Sequence, residues 1–223
     1  DSLKLEAAKF LIRNMPHCYS YQQGGEMDSV KRVRTYYSPF GQIDQTYARR
    51  WGHYTYRNLL KIYDAHIITA EYLIDNIDRA FDNWQKRPWN RSLSFEDFCE
   101  YLLPYRIGDE PLEEWRELYE KKYGYLLDSI YKGSDVVEAA NLVSRHLQEP
   151  VFIYCEDFEL PHIGPRYLFS HRYGSCVDAA DIVTYAFRAV GIPCMEDTDA
   201  RGGHVWNVVR DTTGRDVPIW YIA

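Results

Sequence analysis

The stretch that decides the fold runs from His171 to Val209 and reads HRYGSCVDAADIVTYAFRAVGIPCMEDTDARGGHVWNVV. After Gly174-Ser175, apolar residues recur at the three- and four-residue spacing of a helix with one buried stripe. Gly191 and Pro193 end this helix, because glycine favours the residue after a helix and proline cannot continue one. The spacing therefore predicts a helix whose first turn lies at Cys176 and whose apolar stripe is Ala179, Ala180, Ile182, Val183, Ala186, Phe187 and Val190.

Cys176 stands at the start of this predicted helix. The first N–H groups of a helix have no intrahelical partner, and the helix dipole is positive there, so a thiolate is favoured over a thiol. A cysteine is otherwise most often a small buried hydrophobe, and that interpretation suits Cys99 and Cys194, which sit in apolar patterns. Position alone thus makes Cys176 the candidate nucleophile.

His204 opens the alternating run HVWNVV, which predicts a strand. Gly202-Gly203 before it allows the backbone to approach another element closely, as the wall of an active site requires. A hydrogen-bonded core histidine is the other interpretation. A base on a strand facing a cysteine at a helix tip is the Cys-His arrangement of nucleophilic catalysis. The remaining candidates for a second base lack this context and are more simply surface or hydrogen-bonded residues: His146, His162 and His171.

Three short motifs resemble the transglutaminase-like superfamily, which has the papain-like cysteine protease fold: YGSC (173–176), AVGIP (189–193) and GHVW (203–206). The resemblance is to bacterial members with a helical N-terminal extension. It implies an α+β fold in which a helix bearing the cysteine packs on a small antiparallel sheet. It also implies Cys176 as nucleophile, His204 as its partner, and an acid on the following strand that orients the imidazole.

The chain departs from this pattern at the acid. Trp220 occupies the position where the family usually carries Asp. Asp211 falls at the hairpin turn and Asp216 early on the return strand, several residues away. At ~3.4 Å per residue neither carboxylate is expected to reach His204, so a complete triad is not expected.

The sequence divides into a mainly helical region, 1–133, and a transglutaminase-like core, 134–223. Helical periodicity and cap signals predict the boundaries of the first region. A long loop rich in tyrosine separates its first two helices. The predicted helices cover residues 3–15, 47–63, 69–85, 94–103, 112–131 and 134–148, the loop covers 17–46, and a strand is predicted at 151–154.

The sequence ends in the apolar run Ile219–Ala223, which as a terminal strand would leave a hydrophobic edge. This favours a core truncated at its C-terminus, with a further segment that finishes the sheet or supplies the acid. The first residue is Asp rather than Met, which leaves open export after removal of a targeting segment. Neither a secretory signal nor an apolar run of about 20 residues is found, so no membrane span is expected.

Composition excludes several classes of function. Asp and Glu outnumber Lys and Arg, 33 to 26, whereas nucleic-acid binding needs a clustered basic face. The five cysteines have no CxxC pair and no zinc-ligand spacing, and no cofactor or metal is expected.

The sequence leaves two functions open. In the first, a Cys176 thiolate with its proton on His204 attacks a peptide or carboxamide carbonyl to give a thioester. Water would then make the chain a protease or amidase, and an amine would make it a transglutaminase. In the second, the fold is a catalytically impaired binding module for a peptide or a glycan. Expected partners are a peptide, protein or glycopeptide, and a minority of the 20 Tyr and 6 Trp residues would suit stacking on sugars or gripping a peptide.

Overall fold

A computed structural model describes residues 2–24, 28, 31, 59–154 and 161–220. Helices and small sheets alternate along the chain, which confirms the α+β class. In chain order the helices are α1 (Ser2–Asn14), α2 (Asp64–Ile67), α3 (Ala70–Lys86), α4 (Phe95–Tyr101), α5 (Arg116–Tyr125, continued by a π-helical turn at Leu126–Ile130), α6 (Val136–Leu147), α7 (Pro165–Ser170) and α8 (Cys176–Val190). The strands are β1 (Tyr19–Tyr21), β2 (Lys61–Tyr63), β3 (Ile153–Tyr154), β4 (Tyr173–Gly174), β5 (Cys194–Thr198), β6 (Val205–Arg210) and β7 (Asp216–Ile219).

Helix α8 lies at the centre of the core. From Asp178 to Val190 every residue is buried, which is the pattern of a helix covered on all sides. The helix ends at Gly191, whose φ of 84° is left-handed and favours glycine. A Cβ at Gly191 would also lie 2.8 Å from both Arg87 Cγ and the Asn83 carbonyl oxygen. Both the backbone and the packing therefore require glycine here.

The C-terminal end of α8 is held by side chains from the end of α3 and the 3₁₀ turn that follows it at Pro88–Ser92. Arg87 Nε donates to Val190 O at 2.7 Å, and Trp89 Nε1 and Asn90 Nδ2 each donate to Gly191 O at 2.9 Å. The last carbonyls of a helix have no intrahelical donor. Distant side chains therefore satisfy groups that would otherwise be buried without partners.

Strands β5, β6 and β7 form an antiparallel sheet in that order. In its register Glu196 pairs with Asn207, and Asn207 pairs with Ile219. Asn207 Nδ2 donates to Ala180 O of α8 at 3.0 Å, so the sheet lies against the helix that begins at Cys176. A helix with an N-terminal cysteine against a small antiparallel sheet is the local arrangement that the sequence predicts.

The helical region also contacts α8. The rings of Trp115 and Tyr185 lie 5.1 Å apart, and Arg116 Nη1 donates to Arg188 O at 3.2 Å. Residues from both sides of position 133 share one buried cluster around α8. A second cluster joins α1, α3 and α4 around Phe81. The division at 133 remains a prediction.

The predicted helices at the N-terminus and at 69–85, 94–103 and 134–148 are confirmed to within a few residues. Thr69 Oγ1 accepts the Tyr72 N–H at 3.2 Å, and Ser94 Oγ accepts the Asp97 N–H at 3.0 Å. The predicted cap at Ser134 is wrong by one residue. Asp135 caps α6 because its carboxylate accepts two N–H groups, from Val137 at 2.7 Å and Glu138 at 3.2 Å.

Other predicted boundaries are wrong. Helix α5 begins at Arg116 rather than at 112. Residues 61–63, predicted to be helical, form β2, and they pair with β1, which lies in the predicted loop. The strand predicted at 151–154 shortens to β3. Most of the loop (17–46) and of the helix (47–63) lies outside the described residues.

No helix in the described parts of the chain combines the length and apolar character needed to cross a membrane.

Candidate functional site

Cys176 is the first residue of α8 and is half-buried. The preceding turn is fixed by Asp178, whose Oδ2 accepts the Ser175 N–H at 2.8 Å and the Ser175 hydroxyl at 3.2 Å. This bond holds the chain at the point where it enters the helix. It leaves the N–H groups of Cys176 and Val177 directed out of the first turn, since they lie too early for intrahelical bonds.

His204 is exposed and directly precedes β6. The loop before it is organised by Asp199, whose Oδ1 accepts the N–H groups of Arg201 at 3.0 Å and Gly203 at 2.8 Å. The Asp199 N–H donates in turn to His204 O at 3.1 Å, and Gly202 has a φ of +68°. The position of the histidine backbone thus depends on a tight turn.

Cys176 and His204 line the same cavity, which has a volume of about 270 Å³. Among the described residues, no hydrogen bond joins Cys176 Sγ to the imidazole. Catalytic hydrogen bonds are often long before substrate binds, so a shared cavity is the relevant observation. The lining residues are Tyr154, Cys176, Ala179, Ala180, His204, Val205, Trp206, Asn207, Ile219 and Trp220.

The ring of His204 faces Trp220 rather than an acid. Their centroids are 6.0 Å apart and their planes differ by 14°. Trp220 follows β7 directly, so the sheet places it where the expected acid would stand. An indole can pack against an imidazole, but its single N–H is only a donor and it carries no charge that would stabilise an imidazolium.

The two nearby aspartates are engaged elsewhere. Asp211 Oδ1 accepts from the Thr213 N–H at 2.8 Å and the Arg215 N–H at 2.9 Å, and hydrogen bonds from Arg215 and then Thr213 lower the pKa of Asp211 to about 2. Asp216 Oδ2 accepts from the Tyr101 hydroxyl at 3.1 Å, and its Oδ1 lies 3.4 Å from Arg210 Nε. Both carboxylates stabilise the β6–β7 hairpin and its contact with α4.

A buried polar chain extends behind the cavity from Asn207, which is 2% exposed. Its Nδ2 donates to Ala180 O at 3.0 Å and to Thr184 Oγ1 at 2.9 Å. Thr184 Oγ1 donates onward to Glu196 Oε1 at 3.1 Å. Burial, and then the negative charge of Asp181, raise the pKa of Glu196 well above its usual range.

His162 and Asp181 form an ion pair on the other side of Glu196. His162 Nδ1 lies 2.9 Å from both Asp181 oxygens, and the aspartate side chain is inaccessible to solvent. Burial alone would lower the pKa of His162, but the Asp181 carboxylate outweighs it and raises the pKa to about 11. The sequence predicts that His162 is a surface or hydrogen-bonded residue. The feature that could have indicated this ion pair is the charged residue Asp181, which lies between residues of the apolar stripe of α8.

The other two histidines that the sequence offers as a second base, His146 and His171, are hydrogen-bonded within their own segments. His146 Nδ1 lies 2.9 Å from Leu142 O, and His171 Nδ1 lies 3.1 Å from Tyr167 O. The His171 ring also stacks on Tyr167 at 4.3 Å. Neither residue lines the cavity, which agrees with their interpretation as local hydrogen-bonded residues.

The described cysteines differ in their surroundings. Cys99 and Cys194 are buried, and burial raises the pKa of each thiol to about 12, so both behave as the small hydrophobes predicted. Burial also raises the pKa of Cys18. Of these four cysteines, Cys176 alone lines the cavity. Cys155 lies outside the described residues.

Tyr173, the first residue of the YGSC motif, is 1% exposed. It is not among the described residues that line the cavity. Within the described ranges, no group of three or more His, Cys, Asp or Glu side chains is arranged to hold a metal ion.

Comparisons with protein-family models, with curated proteins and with solved structures find no match to this chain. The described structure is that of an α+β protein in which Cys176, at the start of a helix, and His204 line the same cavity.

Proposed function

We propose that the chain is a cysteine-dependent acyltransferase or hydrolase acting on a peptide or carboxamide, with Cys176 as nucleophile and His204 as general base. The observation that carries the proposal is that these two side chains, predicted from separate motifs, line one solvent-reachable cavity. The transglutaminase-like resemblance of the same motifs supports this chemistry, and the papain-like core is part of the proposal.

The reaction begins when His204 takes the proton from Cys176 Sγ. The thiolate attacks the substrate carbonyl carbon, forming the S–C bond and a tetrahedral oxyanion. The oxyanion collapses and breaks the C–N bond, and the imidazolium gives its proton to the departing amine or ammonia. Water or an amine then attacks the thioester, His204 accepts a proton from that nucleophile, and the thiol is regenerated with the acid or the new amide.

The oxyanion is stabilised by the start of α8. The Cys176 and Val177 N–H groups point out of the first turn, and the positive end of the helix dipole lies behind them. The Asp178 bond to Ser175 fixes the turn and thereby keeps these donors in place. This role for the backbone needs no further side chain.

The presence of Trp220 beside His204, where a complete triad would have a carboxylate, lowers the expected rate of the proposed reaction. In a complete triad the carboxylate fixes the imidazole tautomer and stabilises the imidazolium. Trp220 supplies packing but no charge, so catalysis proceeds more slowly than in a complete triad.

The test compares the wild type with Cys176→Ala and uses Cys18→Ala as the control, since Cys18 is half-buried outside the cavity. Iodoacetamide labelling at pH 6, followed by peptide mapping, is expected to mark Cys176 preferentially. Incubation with glutamine-containing peptides is expected to release ammonia. If added hydroxylamine is incorporated, the enzyme transfers the acyl group, whereas water alone gives the acid.

Equal labelling of wild type and Cys176→Ala would remove the basis for a reactive thiolate. An unreactive Cys176 would favour the second candidate, a binding module. The indole in place of the acid supports that candidate. It predicts cavity binding that is the same in Cys176→Ala and in the wild type, without thioester formation.

A further inference from the structure

Three aromatic rings line one part of the cavity: His204, Trp206 and Trp220. The centroids of His204 and Trp206 are 6.1 Å apart, those of His204 and Trp220 are 6.0 Å apart, and those of the two tryptophans are 6.3 Å apart. The planes differ by 34°, 14° and 29°, respectively. None of the three pairs is perpendicular, so the rings have similar orientations.

Contacting planes lie about 3.5 Å apart, so near-parallel rings with centroids about 6 Å apart are displaced sideways from one another and do not overlap completely. We call this set of three rings the aromatic platform. The sheet explains its position, since Asn207 pairs with Ile219 across β6 and β7, Trp206 directly precedes Asn207, and Trp220 directly follows Ile219.

The platform is accessible to a ligand. Trp220 is 63% exposed and His204 is also exposed. Tyr154, which is 41% exposed, lines the same cavity. An aromatic surface of this kind is costly to leave in water, which indicates a binding role.

The chemistry of the walls limits the ligand. No Lys, Arg, Asp or Glu is among the described lining residues, and the whole chain has a formal charge of −7. A phosphate or an acidic sugar therefore finds no cation in the described part of the walls. Asn207 offers a polar contact, because its Nδ2 donates to Ala180 O and Thr184 Oγ1, which leaves its side-chain carbonyl oxygen as an acceptor.

We propose that the aromatic platform binds a neutral sugar ring of a glycan-bearing substrate. A pyranose has a flat face of C–H groups that stacks on aromatic rings, and a rim of hydroxyls that hydrogen-bond to neighbouring polar groups. Three neighbouring aromatic rings of similar orientation offer a larger stacking area to such a face than a narrow pocket, which takes the tip of an amino-acid side chain. The cavity of about 270 Å³ is at the small end of ligand sites, so it holds one sugar while the rest of the glycan extends into solvent.

This inference rests on the proposed function in one respect: the substrate acyl group attached near the bound sugar is the one that Cys176 attacks. Sugar binding itself requires no thiolate. The two can therefore fail separately, and the experiment separates them by using a protein without the nucleophile.

The experiment titrates Cys176→Ala with three neutral trisaccharides, of β1,4-linked N-acetylglucosamine, β1,4-linked glucose and β1,4-linked mannose, by calorimetry and tryptophan fluorescence. At least one is expected to bind and to change the tryptophan emission. When Trp220→Leu is introduced into the Cys176→Ala protein, the affinity for that sugar is expected to fall roughly tenfold, because the stacking contact is lost. Trp220→Tyr in the same background is expected to retain most of the affinity. Tyr125→Leu is the matched control, since Tyr125 is 51% exposed on α5 and should leave binding unchanged.

No binding by any of the three trisaccharides overturns the inference, as does binding that Trp220→Leu leaves unchanged. The tripeptide Gly-Phe-Gly is titrated in parallel, and its binding in place of the sugars would assign the platform to peptides and overturn the inference as well. If Cys176→Ala binds sugar but the wild type forms no thioester, the platform stands and the proposed function fails. Thioester formation without sugar binding gives the reverse result.

Discussion

The ring centroids of His204 and Trp220 are 6.0 Å apart, and the planes of the two rings differ by 14°. The tryptophan thus stands beside the histidine at the point where an acid would orient it. Ring packing limits how the imidazole can turn, but it does not select a tautomer or stabilise a positive charge. In the proposed mechanism, a substitution at Trp220 is therefore the most direct way to change how strongly His204 acts as a base.

Trp220→Asp is expected to increase the reactivity of Cys176. A carboxylate beside the imidazole favours its protonated form and stabilises the thiolate–imidazolium pair of the proposed mechanism. The rate of iodoacetamide alkylation should rise about tenfold near neutral pH, and its pH profile should shift. Trp220→Asn is the control because it removes the indole without adding charge. Equal rates for the Asp and Asn variants would contradict the prediction.

Asp178→Ala is expected to destabilise the start of α8. The carboxylate accepts both the N–H and the hydroxyl of Ser175, and loss of such a cap costs about 1 kcal/mol. Urea unfolding measures the change in the free energy of unfolding, and alkylation of Cys176 should slow in the same variant. Asp97→Ala is a useful comparison, since Asp97 lies in the capped first turn of α4, away from the cavity. A loss of Cys176 reactivity as large in Asp97→Ala would show that the effect is not local.

His162→Gln is expected to change how stability depends on pH. Asp181 raises the pKa of His162 from 6.5 to about 11, so the folded state holds a proton that the unfolded chain loses. The stabilisation is fully present below pH 6.5 and is lost as the pH rises through about 11. Over this window it declines by at most about 1.4 kcal/mol per pH unit.

The measurement is the free energy of unfolding in urea at pH 6.5, 8 and 9.5. The wild type should lose stability more steeply than His162→Gln, which has no titrating group at this position. His171→Gln provides the control, because that ring stacks on Tyr167 and meets no carboxylate in the described structure. Parallel slopes for the wild type and His162→Gln would exclude the ion pair as the cause.

Gly191→Ala is expected to be more destabilising than Gly214→Ala. Both glycines have left-handed φ angles, 84° and 81°, so each substitution costs on the order of 1–3 kcal/mol in backbone strain. At Gly191 the new Cβ also meets Arg87 and Asn83 at 2.8 Å, whereas at Gly214 nothing lies within 4 Å. The difference between the two variants in urea unfolding therefore measures the contact. Equal losses would mean that the end of α8 rearranges at little cost.

Local signals predicted the centre of the fold. The apolar spacing after Cys176, the glycine at 191 and the alternation from Val205 depend on neighbouring residues, and α8 and β6 form where they indicate. The position of Trp220 beside His204 was also predictable, because a short hairpin fixes which residues lie opposite each other.

Long-range pairings were not predictable in the same way. β1 and β2 are separated by about forty residues, and nothing in the sequence YSY (19–21) indicates its partner. The ion pair of His162 with Asp181 requires a loop to fold back onto α8. Each of these depends on tertiary contacts that local periodicity does not encode.

The end of α8 opposite Cys176 is fastened by Asn83, Arg87, Trp89 and Asn90, which precede the carbonyls they bond by 101 to 106 positions. A fragment that begins at position 134 would lack those donors. Several main-chain carbonyl oxygens at the end of α8 would then have no side-chain hydrogen-bond donor. This end of the helix is therefore completed by residues from the earlier half of the polypeptide, so this part of the core depends on contacts between residues far apart in sequence.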